Sequence, residues 1–378
     1  MKLKMTNRSL HIISFDNPFP PRYGGVIDVF YKIKALHSTG ISIHLHCFVD
    51  EIPIEYDELK SCTSYVYFYK RKLKFLQHFQ FKPYSVQTRF SKELINRLNE
   101  DDFPILFEGL QTTAILNAIK NKSRKLFLRL HNNEAKYYKG IALSEQNYFK
   151  KWIYSLEYFK YCQYQKKVFY SFEKIFSLSE IENKELNQIS NNSFYIPVFH
   201  GNKTVKQFSE FGDFALYHGD LRISDNQRAV AFLISIFREL TEFNFVIVSN
   251  SGGEKIEKQI KEANNIAFFL AKNQKDLELF FEKAHLHALY SFQQSGTKVK
   301  VINALFNGRH CLINSVMVDD NRIIELCTVA DNREAYKQKI IELMKAPFLS
   351  KCNRYNVLDN VLNDIENAKK MNKMIFEL

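Results

Sequence analysis

Lys298 and Lys300 lie in "LYSFQQSGTKVKVINALFNGRHCLIN" (Leu289–Asn314), the stretch whose residue types and spacing point most directly to chemistry. An apolar run ends at Phe292, a polar turn containing Gly296 follows, and a helix is expected from near Lys298 with Val301, Ala304 and Leu305 facing inward. Main-chain N–H groups at that helix start, the helix dipole and two ammonium groups would all favour a phosphate. Lysines in a first turn can equally be solvated, so both readings stand. A second candidate is "NPFPPRYGGVIDVFYKIKALHSTG" (Asn17–Gly40), which places Gly24 and Gly25 together although the chain has only 12 glycines. Glycines between a strand and a helix either let backbone N–H groups approach a diphosphate or sugar, or form a turn that needs φ > 0. His131 follows the strand-like "KLFLRL", and Glu108 and Gln111 stand in "FEGLQ" after another such run. All three fall at carboxyl ends of expected strands, where open β/α sheets bind ligands. The plain alternatives are a backbone hydrogen bond for His131 and a helix cap for Glu108.

These residues need a scaffold, and the sequence supplies an alternating one. Strand-like runs "HIISF", "SIHLHCF", "YVYFYK", "ILFEG", "KLFLRL" and "KIFSLS" are separated by helix-like segments, several runs being too apolar for a sheet with one wet face. In the first helix, Val26, Val29, Phe30, Ile33 and Leu36 recur at spacings of three and four. The polar stretch "HGNKTVKQFSEFGD" (His200–Asp213) reads as a linker, after which the alternation resumes with "FALYHG", "FNFVIVSN", "IAFFLA", "HLHALYSF" and "CLIN". Tyr355–Lys373 reads as helical. At 378 residues the chain exceeds the roughly 250–300 that one core usually serves, so two β/α domains in tandem are expected.

Composition narrows the partners. Net charge is +12 with 34 Phe and 20 Tyr, which favours an anionic partner. The bases and aromatics concentrate in Tyr69–Tyr84 and Tyr148–Lys174, the latter holding the single tryptophan, Trp152. The second stretch is either an amphipathic helix on lipid headgroups or a source of core aromatics with solvated lysines. No P-loop, no GxGxxG and no Asp-x-Asp is present, so a diphosphate would be neutralised by protein cations, without metal. The six cysteines form no CxxC and imply neither zinc nor disulfides. With no apolar span and no secretory leader, the expected location is the cytoplasm, with peripheral contact at the inner face of the membrane. No nucleic-acid module is recognisable.

The order of these motifs resembles the GT-B glycosyltransferases, in particular the retaining family 4 (group 1) enzymes of capsular and surface polysaccharide synthesis. "PPRYGGVIDVFYKIKALHSTGISIHLHCF" resembles their opening unit, "LRLHNNEAKYYKG" the segment carrying a cleft histidine, "LYHGDLRISDNQRAVAFL" the first strand and helix of the donor domain, and "GTKVKVINALFNGRHCLIN" the donor motif. The resemblance implies an α/β fold of two Rossmann-like domains facing each other across a cleft. An acceptor domain would span 1–200, a nucleotide-sugar domain 201–355, and a C-terminal helix, 356–378, would cross back. It implies a metal-independent, retaining hexosyltransferase using a nucleotide-sugar donor and a glycan or lipid-linked acceptor, with no cofactor. His131 and Lys300 would be catalytic. Gly24, Gly25, Arg222, Gly296, Thr297, Lys298, Lys300 and Asn303 would bind donor, and Glu108, Gln111 and Tyr23 acceptor. Asn303 and Ser295 stand where the family has two glutamates, and Asp220 where it has an arginine, Arg222 being the nearest substitute. Those departures define the alternative, a catalytically degenerate GT-B protein that binds a nucleotide or glycan.

Overall fold

The structure is a computed structural model and describes residues 8–145, 147–272, 274–293, 296–349 and 354–377; Ser295 lies outside the described residues. The chain folds into two units, Met1–Phe199 with Asp364–Leu378, and His200–Asn363.

The first unit is built on seven parallel strands: β1 (Arg8–Ser14), β2 (Ile41–Val49), β3 (Tyr65–Lys70), β4 (Ile105–Glu108), β5 (Leu126–Leu130), β6 (Lys174–Ser177) and β7 (Ser193–Tyr195). Their order is β3-β2-β1-β4-β5-β6-β7, so the winding reverses between β1 and β4. In such sheets the crevice at the carboxyl ends of the strands flanking that reversal is the natural ligand site. The apolar runs have the composition they need, because both faces are covered and β4 is buried throughout. Helix Gly24–Ser38 buries Val26, Val29, Phe30, Ile33 and Leu36 as the spacing predicts. Against it packs the C-terminal helix Asp364–Phe376, whose Ala368, Met371 and Ile375 join the same core cluster.

The second unit repeats the plan with β8 (Phe214–His218), β9 (Phe245–Ser249), β10 (Ile266–Leu270), β11 (Ala284–Ala288), β12 (His310–Ile313) and β13 (Thr328–Val329), all parallel. The order β10-β9-β8-β11-β12-β13 puts the reversal between β8 and β11. Two details differ from the sequence reading. β13 is two residues long, too short to show as an apolar run. The helical segment expected over Tyr355–Lys373 is two helices, Arg354–Asn360 and Asp364–Phe376. At the break Leu362 is buried and its carbonyl accepts a hydrogen bond from His200 Nε2 at 2.7 Å, a partner outside any helix. Among the described residues, no helix is long and apolar enough to cross a membrane.

Candidate active site

In the first unit the carboxyl ends of β1, β4 and β5 carry a buried charge cluster. Asp28 and Lys32, one helical turn apart on helix Gly24–Ser38, are fully buried together with Arg129 of β5 and Glu108 at the end of β4. Lys32 Nζ donates to Asp28 Oδ2 at 2.9 Å and to Glu108 Oε2 at 2.7 Å. Arg129 donates to Asp28 through Nε (3.1 Å) and Nη2 (2.7 Å), and to the carbonyls of Ile196 (2.7 Å) and Pro197 (2.9 Å). Burial alone would raise the Asp28 pKa, but Arg129 and then Lys32 outweigh it and hold the carboxyl far below its usual range. Two carboxylates and two cations balance, which is what makes four such groups tolerable in a dry core.

His131 stands at the mouth of this cluster. Its Nε2 lies 2.9 Å from Glu108 Oε2. A carboxylate only accepts, so the proton sits on Nε2 and Nδ1 is left as the second functional nitrogen. Glu108 therefore does not cap the following helix; it bridges Lys32 and His131. Gly24 and Gly25 begin helix Gly24–Ser38, and neither has the positive φ that a tight turn would require. Gly25 is instead a place of close approach: a Cβ there would stand 2.9 Å from Phe15 Cζ, and the Phe15 ring meets His131 edge-on with centroids 5.1 Å apart. Tyr23, just before the helix, donates to Asp16 Oδ2 at 2.8 Å, and burial followed by Asp16 raises its pKa. Gln111 donates to Glu134 Oε1 at 2.7 Å, and burial pushes Glu134 up to about 7. Glu108 Oε1 and Gln111 Oε1 are buried without a hydrogen-bond partner among the described residues.

In the second unit, helix Val299–Asn307 begins one residue after Lys298, which takes the N-cap position. Gly296, in the turn before it, has φ +47°, a conformation that suits glycine. Lys300 Nζ donates to Tyr217 Oη at 3.0 Å and to Asn226 Oδ1 at 2.7 Å, and lies 4.8 Å from the Tyr217 ring centroid. Both acceptors are neutral. Desolvation, reinforced by Lys298 and opposed by Asp225, brings Lys300 down to about 7; desolvation also lowers Lys298. Gly219 leaves room for this ammonium, since a Cβ there would be 3.1 Å from Lys300 Nζ. Thr297 Oγ1 lies 3.5 Å from Asp319 Oδ1. Arg222 folds back on Asp220 (Nη2 to Oδ2, 2.7 Å) and its side chain is largely exposed. Asn303 Oδ1 accepts from Asn202 Nδ2 at 2.9 Å, and Asn307 Nδ2 donates to Asn202 Oδ1 at 2.7 Å.

The candidates thus gather into two groups, one in each unit. Phe15, Gly25, Glu108 and His131 converge in the first; Lys298, Lys300, Asn226 and the turn after β8 converge in the second. The sequence reading missed Asp28, Lys32 and Arg129. Their signal was present: charged residues inside an inward helix face and inside "LFLRL" must be paired if those segments are buried. Among the described residues, two groups have metal-ligand spacing, Asp28, Glu108 and His131, and His11, His44 and Asp101. In the first, the ammonium of Lys32 already bridges the two carboxylates. In the second, Asp101 is bound to His11 and to Arg124 (2.9 Å).

No family model matches the chain. A relative from Klebsiella pneumoniae, described as an "uncharacterized 44.6 kDa protein in cps region", is 25% identical over 324 residues, covering 81% of this chain and 82% of that protein. Among solved structures, a point mutant of Staphylococcus aureus TarM, in complex with fondaparinux, α-GlcNAc-glycerol and UDP, superposes with a TM-score of 0.68 at 12% identity over 98% of this chain and 100% of its own. The pneumococcal O-GlcNAc transferase GtfA, in complex with UDP and GlcNAc, gives 0.64 at 10% over 98% and 99%. WaaG, a glycosyltransferase involved in lipopolysaccharide biosynthesis, gives 0.62 at 12% over 98% and 100%. At these identities the likeness shows the fold, and the fold is GT-B.

Proposed function

We propose that this chain is a glycosyltransferase that moves a hexose from a nucleotide-sugar to a glycan or lipid-linked acceptor during surface polysaccharide assembly. The observation that carries the reading is Lys300: an ammonium at a helix start, beside Lys298, hydrogen-bonded to the neutral oxygens of Tyr217 and Asn226 and with its pKa drawn down to about 7. Such a group gains most from a ligand that brings negative charge. Lys298, Lys300, Gly296, Thr297 and the helix N-terminus would hold the donor diphosphate, with Arg222 reaching it once released from Asp220. Because these cations neutralise the leaving group, the transfer needs no metal. His131 would meet the transferred sugar, with Gly24 and Gly25 beside it. The unpartnered acceptor atoms of Glu108 and Gln111, with the Tyr23 hydroxyl, would meet sugar hydroxyls of the acceptor. Attack of the acceptor hydroxyl on the face the diphosphate leaves retains the anomeric configuration, and the departing diphosphate takes the proton. The cps-region relative and the UDP complexes among the fold neighbours support the pathway class and make UDP the first nucleotide to test.

Thermal unfolding with UDP-, GDP- and ADP-sugars in EDTA tests this reading. One nucleotide family should raise the Tm selectively, a ligand at 100 times its Kd adding about 2.7 kcal/mol. With burial drawing Lys300 down to about 7 and only its protonated form offering charge, affinity should fall as pH rises above that value, by at most about tenfold per pH unit. No shift with any donor at any pH would refute donor binding at this site. A second reading, a GT-B protein that binds without turning over, is favoured by one observation: the Asn303 carboxamide oxygen is occupied by Asn202. It predicts the same thermal shift without release of sugar.

A further inference from the structure

The two basic, aromatic stretches are far apart in sequence, and the structure joins them into one surface. Tyr84 N donates to Glu157 Oε2 at 2.8 Å, and Lys160 Nζ donates to Glu157 Oε1 at 2.7 Å and to the carbonyl of His78. The Phe79 and Trp152 rings lie 6.2 Å apart across this joint. The helix Tyr148–Val168 sends Tyr161 and Val168 into the core, which the sequence left open as one fate for its aromatics. Phe149, Trp152 and Phe159, at spacings of three and seven, stay exposed on one stripe. Beside them the segment after β3 holds Leu76 at 75% exposure and Phe81 fully in solvent.

The charge around these apolar tips is mostly positive. Between Tyr69 and Tyr84 there are five Lys or Arg and no Asp or Glu. Arg71 is paired with Asp50, while Lys72, Lys74 and Lys82 are exposed, as are Lys150 and Lys151 at the helix start. Glu157, the acid at the joint, is buried and matched by Lys160. Leu76 and the exposed aromatics, ringed by lysines, fit an interface in which ammonium groups meet phosphates and the apolar tips sit below them. A nucleic acid would match the lysines but leave Leu76 without an apolar partner.

We infer that this surface docks the first unit on an anionic phospholipid bilayer. The inference rests on the proposed lipid-linked acceptor and supplies its physical partner. The segment leaves the carboxyl end of β3, the end of the parallel sheet at which Glu108 and His131 also stand, so docking brings that end of the unit towards the lipid.

Trp152 is the only tryptophan, so its emission reports directly on the surface. The full chain is mixed with vesicles of phosphatidylglycerol and phosphatidylcholine in equal parts, and with phosphatidylcholine alone. The expected result is a blue shift and co-sedimentation with the anionic vesicles, reversed by salt. The double variant Leu76→Ser with Phe81→Ser should lower partitioning at least about tenfold, and Lys72→Gln, Lys74→Gln and Lys82→Gln by about fivefold each. These positions are exposed, and unchanged thermal unfolding of each variant confirms that it folds. An unshifted emission with all protein in the supernatant at low salt overturns the proposal, as do variants that bind like the wild type, or binding to an oligonucleotide but not to vesicles. Lys300→Ala should bind vesicles normally. Vesicle binding without donor binding counts against the transferase alone, and donor binding without vesicle binding against the docking surface alone.

Discussion

Replacing Lys300 by alanine lowers kcat for sugar transfer about 10²-fold or more, with a smaller change in KM, if Lys300 stabilises charge that develops as the diphosphate leaves. The effect is large because the charge is placed in advance. Lys300 Nζ is fixed by Tyr217 Oη and Asn226 Oδ1, neither of which competes as an anion, and burial draws its pKa down to about 7. A ground-state contact would instead raise KM and leave kcat alone. The fold should tolerate the change, since the substitution removes a poorly solvated charge and leaves two neutral groups. Steady-state kinetics with the donor named by thermal shift would decide it; a variant that turns over at the wild-type rate excludes Lys300 from the chemistry.

Asp28→Ala should cost about 3–5 kcal/mol of stability, the range for breaking a buried ion pair from one side. Asp28 accepts from Lys32, twice from Arg129 and from the main-chain N–H of Phe199 at 2.9 Å. Without it, two buried cations face the single carboxylate of Glu108. The sign with pH follows from the depressed pKa of Asp28: its contribution is present above the ordinary carboxylate pKa of 3.8 and is lost as pH falls through the lower folded value. Urea unfolding of wild type and variant at neutral pH measures the difference. A loss below about 1 kcal/mol, the value of a surface pair, would show that the cluster is not dry.

Most of the architecture was legible because parallel strands buried on both faces must be apolar runs, and helices between them must show a spacing of three and four. The reversals of strand order at β1 and β4 and at β8 and β11 then fix which loops meet. Lys298 and Lys300 were visible because a helix start is a local feature. The Asp28, Lys32, Glu108 and Arg129 cluster was not, because its members come from three elements and pair only in space. Gly25 shows the same limit: its position was readable, but its reason, the ring of Phe15, lies on another segment. The aromatic surface is a third case, where composition marked two stretches and only tertiary contact between Tyr84 and Glu157 made them one.

The central claim is that this GT-B chain turns over a nucleotide-sugar through its paired lysines, and donor hydrolysis in EDTA tests it most directly. Proton NMR of the wild-type protein with its stabilising donor should show slow release of free hexose in the donor's own anomeric configuration, abolished in Lys300→Ala. Donor bound but never cleaved, with or without acceptor glycan, would contradict the claim and leave a binding protein in its place.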